Sequence, residues 1–287
     1  MLNVIKMDIY RLFHTVSTYV MIIATVLLTT FIVYMTKWDL DNMDAMQANT
    51  IEPGVQVEGD VVELNFGFYS NTNAEWKLGD IPLSDLMETQ LTAGFYLVFI
   101  SIFVSIFVYA EQKNGYVKNI AGQLPNKWML VLSKTMTVAL QVLVMFLMIG
   151  ISMFLVGKIC FGERLVFGSF MDLVKVFGGQ YFLHFGFACL ILCLCLIFKS
   201  VALSMTLGIL ISSKVVTMLY FAVNKLAEGL FKVKDFDMSR YTIEMGISEY
   251  TLSAADSDVH RIFIVALVYV AAAVLTASVV VQKRDVK

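Results

Sequence analysis

The chain has 287 residues, of which 59% are hydrophobic and only 15% are charged, and its mean hydropathy is +0.77. Soluble domains average about 45–50% apolar and about 25% charged residues. This composition excludes a soluble enzyme, a disordered chain and a disulfide-stabilised secreted domain, and it predicts an all-α integral membrane protein. The net charge of −2 becomes informative only when it is divided between the two sides of a membrane.

The first predicted element is a short amphipathic helix over Asn3–His14, with Lys6, Asp8 and Arg11 off its apolar face. The apolar residues fall on one helical face: Val4, Ile5, Ile9, Leu12 and Phe13. We interpret this segment as an interfacial helix on the inner membrane surface. The alternative is that it forms the first turns of the span that follows.

Six apolar segments are each long enough to cross a bilayer, which takes about 20 residues of helix. The predicted spans cover residues 16–35, 91–110, 135–156, 176–198, 201–223 and 262–281. The chain 1–287 is therefore expected to form a single transmembrane domain, with residues 37–90 as its largest outer loop.

Charge predicts the orientation, since lysine and arginine collect in short cytoplasmic segments close to span ends. With both termini inside, the inner segments carry ten basic and three acidic residues, a net charge of +7. The outer loops then carry ten basic and twenty acidic residues, a net charge of −10. The sequence thus predicts six transmembrane helices with the N- and C-termini in the cytoplasm.

The outer loop 37–90 has eleven acids and two lysines, a net charge of −9. Two short apolar-rich runs, residues 55–58 and 61–66, flank Gly59-Asp60 and predict a β-hairpin. Pro82, with Ser84 as the N-cap, is expected to begin a helix that runs unbroken into the second span. In the last outer loop, residues 241–245 and 250–252 are apolar enough to form short helices at the outer interface.

Several kinds of chemistry have no motif in the sequence. It contains no GxxxxGK[ST] loop, no HExxH and no GxSxG, so neither ATP binding through a Walker motif nor a common intramembrane hydrolase is expected. No Asp or Glu lies within a predicted span, which disfavours a proton- or sodium-coupled carrier. We expect no resident cofactor or metal and no nucleic-acid partner. His184, Cys189, Cys193 and Cys195 are interpreted as buried side chains of span four, because their spacing does not favour a metal site.

Lys214 is the one charged residue within a predicted span. It lies about 20 Å along the helix from the inner end of span five. Its ammonium group either extends to the outer interface or faces a polar cavity or a subunit interface. The preceding Ser212-Ser213 pair makes this part of the helix more polar, so Ser213 and Lys214 are candidates for lining a translocation path.

The inner loop from Glu111 to Lys134 has the most specific pattern. Tyr116, Val117, Ile120 and Leu124 recur at helical spacing, and Lys118 falls on the opposite side. Pro125 ends this predicted helix. Such an amphipathic helix between spans two and three either rests on lipid headgroups or docks a cytosolic partner.

This layout resembles the permease subunit of type-2 ABC transporters. The shared features are the surface helix before span one, the six spans with both ends inside, and an inner loop with Glu111, Gly115, Pro125, Lys127 and Ser133-Lys134. In that family the loop between spans two and three contains the coupling helix that contacts the ATPase. The resemblance therefore implies ATPase coupling through Glu111, Gly115, Tyr116, Lys118, Ile120 and Pro125.

The resemblance also implies what the protein does. The chain would be a non-enzymatic permease of an ATP-driven exporter in a bacterial plasma membrane, with ATP bound by a separate cytosolic subunit. A second, identical or different, permease chain would complete the path, and the exported substrate would be a peptide or an antimicrobial compound. The alternative is a six-span sensor or assembly protein that binds a partner through its acidic outer loop.

Overall fold

The computed structural model describes residues 2–47, 56–57, 60–61, 72–113, 126–231 and 237–283. The described part is almost entirely helical, which confirms the all-α prediction. Its α-helices are α1 (Leu2–His14), α2 (Val16–Gln47), α3 (Leu83–Thr92), α4 (Phe95–Lys113), α5 (Trp128–Phe161), α6 (Phe170–Phe198), α7 (Val201–Ser212), α8 (Thr217–Phe231), α9 (Ile243–Glu249) and α10 (Asp256–Lys283).

Short strands and 3-10 helices connect these helices. In the predicted hairpin, β1 (Gln56–Val57) pairs antiparallel with β2 (Asp60–Val61), so the hairpin is confirmed, although Asp60 lies in the second strand. A second pair joins β3 (Ile81–Pro82) in parallel to β4 (Leu165–Val166). The 3-10 helices cover Ala74–Lys77, Gly162–Arg164 and Met238–Tyr241.

Among the described residues, four single helices are long and apolar enough to cross a membrane, namely α2, α5, α6 and α10. Two bent pairs, α3 with α4 and α7 with α8, pass the same test when each pair is taken together. The count rises to six only if each pair is one span. Six spans with both termini inside therefore stay a prediction, whereas a multi-pass helical bundle is observed.

The helix predicted to run unbroken into span two is broken. It bends by 61° between α3 and α4, at Ala93-Gly94. Gly94 has φ 84°, a left-handed conformation that costs glycine little and that interrupts the helical hydrogen bonds. The predicted N-cap is also misplaced, because α3 begins one residue before Ser84 and has no side-chain cap.

The fifth predicted span is interrupted as well. Helix α7 ends at Ser212, α8 begins at Thr217, and the two axes differ by 73°. Lys214, inside the break, has φ 58° although it is not a glycine. Helix α7 alone has twelve residues, or about 18 Å, which is short of the hydrocarbon thickness of about 30 Å.

Helix α6 is the centre of the bundle. It packs against α4, α5 and α10, and it also contacts the short helices α3 and α9. Its ends follow from local chemistry, because Ser169 accepts a hydrogen bond from the Asp172 amide and Lys199 adopts a left-handed conformation that closes the last turn. The short helix predicted near Tyr241–Met245 is present as α9, but residues 250–252 are not helical.

Candidate functional site

The predicted coupling residues Gly115, Tyr116, Lys118, Ile120 and Pro125 lie outside the described residues. Glu111 lies in the last turn of α4, which ends at Lys113. The described chain resumes at Asn126, just before α5. The structure therefore places the two helices that bound the predicted coupling loop, and the helical prediction for the loop itself stays untested.

The N-terminal helix is tied to both of those helices. Asp8 of α1 is 1% exposed, and its Oδ2 accepts a hydrogen bond of 2.5 Å from Ser133 Oγ of α5. On the other side, the Arg11 guanidinium donates to the carbonyl of Phe107 in α4 at 3.3 Å and lies 4.2 Å from the centre of its ring. Lys134 is also buried here and interacts electrostatically with Asp8. Helix α1 thus connects the two helices that bound the predicted coupling loop.

Ser213 and Lys214, the predicted path residues, form the break between α7 and α8. Ser213 Oγ donates to the Leu210 carbonyl at 3.1 Å, and Thr217 Oγ1 donates to the Lys214 carbonyl at 2.6 Å. These bonds satisfy carbonyls that a continuous helix would have paired along its backbone. Both Ser213 and Lys214 are half-buried, so this polar segment is partly accessible at the surface of the chain.

A buried carboxylate beside the break was missed by the sequence analysis. Glu244 of α9 is 3% exposed, and its Oε1 accepts a hydrogen bond from the Tyr220 hydroxyl of α8. Lys214 is close enough to interact electrostatically with this carboxylate. Burial raises the pKa of the Glu244 carboxyl, because the ionised form loses hydration. The only signal in the sequence was the apolar surroundings of Glu244, between Ile243 and Met245.

The histidine and the three cysteines of α6 that were considered as metal ligands lie at the interface between helices. Cys189, Cys193 and Cys195 are free thiols that are buried in the core of the bundle. His184 is fully buried, its Nδ1 is 2.8 Å from the Gln180 carbonyl, and its ring meets Phe146 edge to face. These positions agree with their interpretation as packing residues.

The sequence model of a family described as ABC-2 family transporter protein matches residues 61–240 of this chain. This match covers more than half of the chain and includes both helix breaks and the loop from Glu111 to Lys134. It ends just before α9, so Glu244 is outside it. A search of the curated proteins gave no match.

Proposed function

The chain belongs to the ABC-2 transporter family, and from that premise we propose that it is the permease subunit of an ATP-driven exporter. It is a multi-pass membrane protein, and this family supplies the membrane component of a transporter rather than its catalytic subunit. ATP is bound and hydrolysed by a separate cytosolic subunit, and a second permease chain completes the complex. The site of function is a bacterial plasma membrane.

Coupling to the ATPase takes place at the loop from Glu111 to Lys134. The observation that supports this step is the tie between α1 and the two helices that bound the loop, through Asp8 with Ser133 and Arg11 with Phe107. Because these contacts are buried or partly buried, a force on the loop is transmitted to α1, α4 and α5 together. A loop held at both ends in this way is suited to move the bundle as the ATPase closes.

The orientation of the complex follows from charge. The predicted inner segments, which include the loop and both termini, together have a net charge of +7, and the outer loops have a net charge of −10. The positive-inside rule therefore favours a loop that faces the cytosol, where ATP is present. The helix predicted over 116–124 provides the contact surface, with Tyr116 and Ile120 on its apolar face.

The translocation path passes the break at Ser213 and Lys214. Non-helical backbone at membrane depth is tolerated only where protein covers it or where it lines a water-filled cavity. In this chain the break is half-buried. Its accessible part must therefore be covered by a second permease chain or face an aqueous path. Because Lys214 is half-buried and charged, it favours an aqueous path over a cover of protein alone.

The transported compound is a peptide or an antimicrobial substance that leaves the cell. The acidic outer loop supports this proposal, because its net charge of −9 attracts cations on the outer side of the membrane. An export complex that protects the cell from cationic peptides fits this surface.

The test is a loop variant in which Tyr116→Asp and Ile120→Asp are combined. Two carboxylates on the apolar face of the coupling helix remove the contact, and we expect the ATPase to be lost from the purified complex by more than about tenfold. Co-purification of the tagged chain with its ATPase measures this loss, and membrane insertion is checked by the amount of folded chain in the membrane fraction.

The matched control is Leu78→Asp, which introduces a carboxylate at a side chain that is 93% exposed and outside the candidate spans. This variant should keep the ATPase. An intact complex with both loop substitutions present would contradict the docking role of the loop.

A further inference from the structure

Helix α9 lies between the two helix breaks and contacts both of them. We propose that α9 mechanically couples the breaks, so that the bend between α3 and α4 and the bend between α7 and α8 change together. Two residues of α9 make the connections. Glu244 and Ser248 are four residues apart, so they lie on the same face of one helical turn.

The first connection reaches the break after α3. The Ser248 hydroxyl donates to the carbonyl of Thr92, the last residue of α3, at 3.2 Å, and it shares its one proton with the Glu244 carbonyl of its own helix at 3.3 Å. Thr92 is one of the last four residues of the helix, whose carbonyls have no partner within it. Just beyond α9, the Leu252 amide donates to Glu88 Oε2 of α3 at 2.6 Å. The end of α3 is therefore held by two bonds to α9 and to the segment that follows it.

The second connection reaches the break before α8. The Tyr220 hydroxyl of α8 donates to Glu244, and Lys214 within the break interacts with the same carboxylate. Because Glu244 is buried, the bond from Tyr220 is protected from water and is stronger than a similar bond at the surface. A change in the angle of α8 must therefore move α9 or break this bond.

Helix α9 is anchored on α6 at and just beyond its C-terminal end. The Gln180 side-chain amide of α6 donates to the carbonyls of Ile247 and Tyr250, both at 3.0 Å. The Tyr250 hydroxyl also donates to the Lys175 carbonyl at 3.1 Å. These bonds hold the short helix on α6 between the two breaks, so that a displacement of α9 at one connection also shifts it at the other.

A competing route exists through the direct packing of α4 on α7. Ser101 and Gly208 mark a close approach of the two helices, because a Cβ at Gly208 would lie 2.6 Å from Ser101 Oγ. A test of the proposal must distinguish the two routes. Two substitutions that each delete one hydroxyl, Tyr220→Phe and Ser248→Ala, make this distinction, since neither residue belongs to the contact between α4 and α7.

The experiment measures hydrogen exchange of the full chain in lipid nanodiscs, in peptides that cover residues 90–97 and 211–219. Tyr220→Phe and Ser248→Ala each remove one bond at one end of α9. We expect each variant to speed exchange about fivefold at its own break, which is the factor that corresponds to the loss of one ordinary hydrogen bond. Exchange at the distant break should also become faster. The control is Tyr181→Phe, which removes a hydroxyl bond between α6 and α5 and should alter neither peptide.

The route is identified in a background with Ser248→Ala and Glu88→Ala, where both bonds to α3 are absent. There, Tyr220→Phe should change only residues 211–219. The proposal is overturned if either single variant acts only at its own break or has no effect. It is equally overturned if Tyr220→Phe still speeds exchange at residues 90–97 in this background, because the signal would then not depend on the bonds from α9 and its following segment to α3.

Discussion

At the scale of single residues, the packing of the segment just after α9 depends on one of two adjacent glycines of α6. A Cβ at Gly179 would fall on the ring of Tyr250, whereas a Cβ at Gly178 would meet nothing within 4 Å. Small residues let neighbouring elements approach closely in membrane proteins. Gly179 therefore makes room for the tyrosine that anchors the end of α9 to α6.

Gly179→Ala is expected to destabilise the protein by about 1–3 kcal/mol, because the added methyl group displaces Tyr250 from a packed interface. Gly178→Ala provides the matched control and should leave stability unchanged or raise it by up to about 1 kcal/mol, since alanine favours the helix. Thermal unfolding of both variants in the same detergent measures the difference. Equal melting temperatures would contradict the role assigned to Gly179.

Glu244 shows why residue-level function was only partly predictable. The sequence places Glu244 in an outer loop, and no Asp or Glu lies within an apolar segment of span length. The structure brings it back to α8, where its partner Tyr220 is 24 residues away in the chain. A contact of this kind depends on the path of the intervening chain, which hydropathy does not encode. Lys214 was conspicuous in the sequence as a lone charge in an apolar segment, and its place in a translocation path stays a prediction.

At the scale of elements, the helices were more predictable than their breaks. Span-length apolar segments predicted the positions of α2, α5, α6 and α10, and the amphipathic segment 3–14 coincides with α1. Asp8, which was expected off the apolar face, is instead buried together with Val4 and Leu12. Gly94 offered a signal for the first break, because glycine adopts positive φ at low cost. The left-handed conformation of Lys214 had no counterpart in the sequence, since residues 212–217 contain neither glycine nor proline.

The break around Lys214 should be reachable by water. In a Cys160→Ser background, in which the remaining cysteines are buried, we expect Lys214→Cys to react from outside intact cells with a charged, membrane-impermeant thiol reagent. Leu210→Cys, one turn earlier and 42% exposed on α7, faces lipid in this account. It should react more than about tenfold more slowly, because a thiol ionises poorly without water.

Equal reaction at the two positions would contradict an aqueous path at the break. Labelling of Lys214→Cys only after permeabilisation would instead reverse the proposed orientation.

At the scale of the whole molecule, composition and charge predicted a multi-pass bundle, but not its internal order. The central position of α6 and the packing of α10 on it follow from side-chain fit along whole helices. The tie of α1 to α4 and α5 likewise joins residues more than 90 positions apart, as in Arg11 with Phe107. Such contacts arise from the assembled bundle, and they give the proposed coupling loop its mechanical connection.

As the proposed permease of an ATP-driven transporter, this chain should bind an ATPase and stimulate it. The most direct measurement is ATP hydrolysis in lipid vesicles by the ATP-binding subunit that co-purifies with the chain, with and without the chain present. We expect that a subunit with a Walker A motif co-purifies and that its ATP hydrolysis rises severalfold in the complex. A chain that is purified from its native membrane without any ATP-binding protein, and that leaves the hydrolysis rate unchanged, would contradict it.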